Sequence, residues 1–77
     1  MNISTEEIGI KLASALLLQY GELPVEDIRA MPFLTQPGES EVIIRKLLEL
    51  FNVEIYSRKV LSYPLPVWEE VIRIKAQ

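Results

Sequence analysis

Apolar positions recur with a helical period over most of this chain. Ile8, Leu12, Ala15 and Leu16 fall at spacings of four, seven and eight, which predicts one apolar stripe on a first helix. Ser4 and Glu7 form an S-x-x-E capping box at its start, with Ile3 and Ile8 placed for a hydrophobic staple. Gly21 is the expected stop. Ile10 and Leu17 point away from the stripe. They predict either a second buried face or a contact surface, for another copy of the chain or for a dedicated partner.

The stretch "LPVEDIRAM" predicts a short second helix. Pro24 suits its first position, where the missing N–H would be unpaired anyway. Glu26 and Asp27 favour the positive end of its dipole, Arg29 the other end, and Pro32 closes it. "FLTQPG" reads as a loop. A third helix is expected from about Glu39 to Phe51, with Ile43, Ile44, Leu47, Leu48 and Phe51 as its stripe and Asn52 as its end.

The C-terminal third is harder to assign. In "YPLPVWEEVIRIKAQ" a strand would put Glu69 and Arg73 on one face with Val67 and Val71, and Glu70 on the other with Trp68 and Ile72. Neither face is clean. A helix gathers Val67, Trp68, Val71, Ile72 and Ile74 on one side and the charges on the other, so a fourth helix opening after Pro66 is predicted. Residues 53–62 are expected to run as an extended "VEI" and then a short helical piece.

Composition narrows the function. Seventy-seven residues make a single domain, spanning 1–77, with a small core. The absence of cysteine excludes disulfides and thiolate zinc sites, and the absence of histidine removes the commonest general base. No nucleophile stands with a base, so an enzyme is not expected. A net charge of −3 argues against nucleic acid and for a partner with a basic surface. No apolar run is long enough for a membrane span, and the start does not read as a signal peptide, so a cytoplasmic location is expected.

The order of these landmarks resembles the acyl and peptidyl carrier proteins. "LPVEDI", "PFL", "IIRKLLELFNVEI" and "PVWEEVI" stand in the sequence of that family's second segment, loop phenylalanine, central helix and last helix. The resemblance implies an all-α four-helix bundle and a 4′-phosphopantetheine arm on a serine at the start of the central helix. A phosphate there would meet free backbone N–H groups. Counted forward from Phe33 the serine is Ser40, with Glu39, Glu41, Val42 and Arg45 around it as the surface for partner enzymes. Glu41 stands where the family has leucine, and counting back from Phe51 puts Pro37 at the serine position.

Two other readings stay open. One is the same fold without an arm, serving as an interaction or regulatory module. The other is a winged helix, an α+β fold. It would need three helices and then "VEIYSRKVL" and "VWEEVIRI" as a hairpin, with Arg45, Lys46, Arg58 and Lys59 offered to DNA.

Overall fold

The computed structural model describes residues 4–75. Three helices and three strands follow in the order α1 (Thr5–Tyr20), β1 (Glu22–Pro24), α2 (Val25–Arg29), α3 (Glu39–Leu50), β2 (Val53–Leu61) and β3 (Val67–Ile74). The strands form one antiparallel sheet in the order β1-β3-β2. The fold is therefore α+β, and the four-helix bundle is overturned: the predicted fourth helix is β3, and the expected helical piece after "VEI" is the rest of β2. The connectivity is the one the winged-helix reading requires.

Side chains explain why β3 is a strand. Glu54 faces Arg73 across the β2–β3 ladder and Arg58 faces Glu69, so the charges that spoil its faces are matched on its neighbour. On the β1 side Glu22 also faces Arg73. The opposite face carries Leu23, Val53 and Ile72 into the core.

Both ends of α1 follow the expected chemistry. The Glu7 backbone N–H donates to Ser4 Oγ at 3.1 Å, and Gly21 takes a left-handed φ of 78° while its N–H donates to the Leu17 carbonyl at 2.8 Å. The staple partner Ile3 lies outside the described residues. The buried face of α1 is not the predicted one. Gly9, Ala13 and Leu17 are buried, whereas Ile8, Leu12 and Ala15 are exposed; Leu16 alone of the predicted stripe packs on the core. Packing decides this, because a Cβ at Gly9 would overlap Ile43 Cδ1 of α3. The small residues turn inward so that the two helices approach closely. Leu17 is thus a core residue, and Ile10, half-buried, packs against the same core.

Pro24 ends β1 and caps α2, which is shorter than expected; Met31 beyond it is buried. Helix α3 buries Ile43, Ile44 and Leu47 as predicted, but Leu48 is exposed. It ends at Leu50 on an extended Phe51, so the left-handed stop expected at Asn52 is not formed.

Candidate functional site

Ser40 is the second residue of α3 and is half-buried. Its acidic neighbours are occupied within the fold. Glu39 is buried, and its carboxylate accepts the Thr5 hydroxyl at 3.1 Å, tying α1 to the start of α3. Its other oxygen is buried with no partner among the described residues. Glu41 accepts from Arg29 at 3.0 Å and so links α2 to α3; Arg29 also reaches Glu26 at 3.4 Å. The hydrogen bond that Arg29 donates to Glu41 is the main reason its pKa is raised. Of the four residues expected to form the surface around Ser40, only Val42 and Arg45 stay exposed with no ion-pair partner among the described residues. The arm at Ser40 rested on the resemblance to a four-helix bundle, and that support goes with the bundle.

The four bases named for DNA are similarly placed. Lys46 pairs with Glu49 at 3.6 Å. Arg58 bridges strands β1 and β3, donating to Glu22 at 3.0 Å and to Glu69 at 2.6 Å; the second bond leads the causes that raise its pKa. The Lys59 ammonium lies 5.4 Å from the centre of the Trp68 ring, within cation–π range. Arg45 alone of the four is exposed without such a contact among the described residues. On the same face of the sheet as Arg58, Tyr56 donates its hydroxyl to Glu22 at 3.2 Å, and Arg73 stacks over the Tyr56 ring at 4.4 Å while binding Glu54. The result is a lattice of compensated charge across all three strands.

Beyond this lattice the hairpin changes character. From Val60 to Trp68 no residue is charged, and every one is exposed. Tyr63 is 84 % exposed, Leu65 71 % and Trp68 59 %. The register shifts between Lys59 and Leu61, where the ladder gives way to the loop. The helices do not cover this tip, so its apolar side chains are largely left to solvent. Aromatic and aliphatic side chains gathered on one projection are the composition of a docking surface. Sequence reasoning passed over this site because it assigned Val67 and Trp68 to a buried helix face. The signal was present in "VLSYPLPVW", nine residues without a charge and with two prolines that hinder regular structure.

No pocket and no cluster of metal-ligating side chains forms among the described residues, and none of their helices is long and apolar enough to cross a membrane. Comparison with family models, with curated proteins and with solved structures finds no match.

Proposed function

We propose that the chain is a protein-binding module whose contact element is the β2–β3 hairpin, with the uncharged tip at 60–68 as its docking surface. The observation that carries this reading is that the whole tip is exposed while the chain has only a small core to spare. Burying one Val, Leu or aromatic side chain of this kind contributes about 1.5–3 kcal/mol. Covering Leu65, Tyr63 and Trp68 together would contribute about 4.5–9 kcal/mol, enough to offset a large part of the cost of association.

Charge supports a protein partner over nucleic acid. Phosphate binding needs bases free to displace counterions. Here Arg29, Lys46, Arg58 and Arg73 are held in ion pairs, on a chain of net charge −3.

The test is a photo-reactive benzophenone amino acid at Leu65, irradiated in cells that express the chain. A protein adduct is expected, and it should disappear when Tyr63 and Trp68 are both changed to serine. An adduct removed by nuclease, or no adduct at all, overturns the proposal.

A further inference from the structure

The outer edge of β2 is open: it is the last strand of the sheet, and among the described residues nothing pairs along its free side. Nine residues of unpaired backbone are a template for another strand, and β2 contains no proline to block it. The side chains on that edge have a self-complementary order. Glu54, Tyr56 and Arg58 share one face, and reading E-x-Y-x-R backwards exchanges the acid for the base.

Resting on the reading of the hairpin as the contact element, we propose that its occupant is a second copy of this chain. The two β2 edges pair antiparallel about a two-fold axis at Tyr56, making one six-stranded sheet. In this register Glu54 faces Arg58 of the second copy, and Arg58 faces its Glu54, so both charges gain an opposite neighbour across the axis. Moving the axis to Ser57 would set Glu54 against Val60 and Lys59 against Ile55, and both charge pairs are lost. Pairing about Tyr56 also lays Leu61 beside Phe51 of the second copy. The tip end of each β2 then lies beside the base of the other, where Leu50 is exposed and Phe51 half-covered.

Sedimentation equilibrium on the purified chain is expected to give about twice its 8.8 kDa mass. The chain has no cysteine, so one introduced thiol reports the register. Directly opposed residues have Cα atoms about 4.5–5.5 Å apart, within reach of a disulfide. Tyr56→Cys should therefore oxidise to a covalent dimer. Glu54→Cys, whose two copies would be offset by four residues or about 13 Å, should not. Charge exchange gives a second readout. Glu54→Arg and Arg58→Glu should each be monomeric alone and form a mixed dimer on mixing, with circular dichroism checking that each folds. A monomeric mass for the unaltered chain, or equal oxidation of the two cysteine variants, overturns the pairing. If the Leu65 photo-adduct then proves to be a different protein, the docking function of the tip survives without self-pairing; if no adduct forms while Tyr56→Cys gives the covalent dimer, self-pairing survives and the docking function of the tip falls.

Discussion

The close approach of α1 and α3 makes a quantitative prediction at Gly9. A methyl group there would overlap Ile43 Cδ1 and sit 3.2 Å from Cγ1, and Ile43 is wholly buried. Two effects oppose each other in Gly9→Ala. Alanine improves helix propensity by about 1 kcal/mol, while an extra methyl in a filled core costs about 1–3 kcal/mol. The net expectation is a loss of about 1 kcal/mol, a large share of the roughly 4–12 kcal/mol available to a domain of this size. Ile43→Val alone removes Cδ1 and should cost about 1 kcal/mol through the void it leaves. In the double variant the new methyl occupies that void, and only a contact of a few tenths of an ångström with Cγ1 needs relief. Its stability should lie within about 0.5 kcal/mol of the unaltered chain, a coupling of about 2 kcal/mol between the two sites. Urea unfolding followed by far-ultraviolet circular dichroism measures all four corners of the cycle. Additive costs in the double variant, or a Gly9→Ala chain more stable by the full propensity gain, would refute the inward placement of Gly9.

Two further outcomes follow from single contacts. Ser4→Ala removes the acceptor for the Glu7 N–H and should lower stability by about 1 kcal/mol in the same urea assay. At Glu54 the hydrogen bond from Arg73 holds the carboxyl below its ordinary range. Its folded pKa is then lower than its unfolded one, so the contribution is complete above about pH 4.3 and fades as pH falls through the folded value. Glu54→Gln should flatten that acid limb in thermal melts across pH and leave melts of the dilute chain near neutrality less altered in slope.

What could be read from the residues was mostly local. The cap at Ser4, the stop at Gly21, the start of α3 and its buried Ile43, Ile44 and Leu47 depend on neighbours in sequence, and they stand as expected. Long-range choices were not legible. Apolar residues encircle α1, so periodicity could not say which side faces inward; the fit of Gly9 against Ile43 decides it, and those two are 34 residues apart in the chain. The helix predicted at 67–74 failed for a similar reason. Its charges looked incompatible with a strand only while their partners on β2 and β1 were unknown. The resemblance to carrier proteins depended on that helix. The docking tip was hidden by the same error, since a helix would have turned Trp68 inward.

The cross-strand charges link the fold to its use. An isolated hairpin is marginal in water, and one that carries an apolar tip clear of the core needs stiffness at its base. Arg58 and Arg73 supply it by joining β2 to β1 and β3 through Glu22, Glu69 and Glu54. Those same bonds engage Arg58, one of the two hairpin bases that a wing reading DNA would offer. A hairpin braced by neutralised charge and ending in Tyr63, Leu65 and Trp68 is built to present apolar surface at a fixed distance from the core. A nucleic-acid wing has the opposite arrangement, with its bases exposed along the projection. Rigid presentation also lowers the entropy lost when a partner covers the tip. The acid–base order of β2 therefore serves twice: inward, it holds the hairpin to the sheet, and at the open edge it offers the pattern that a second copy can match.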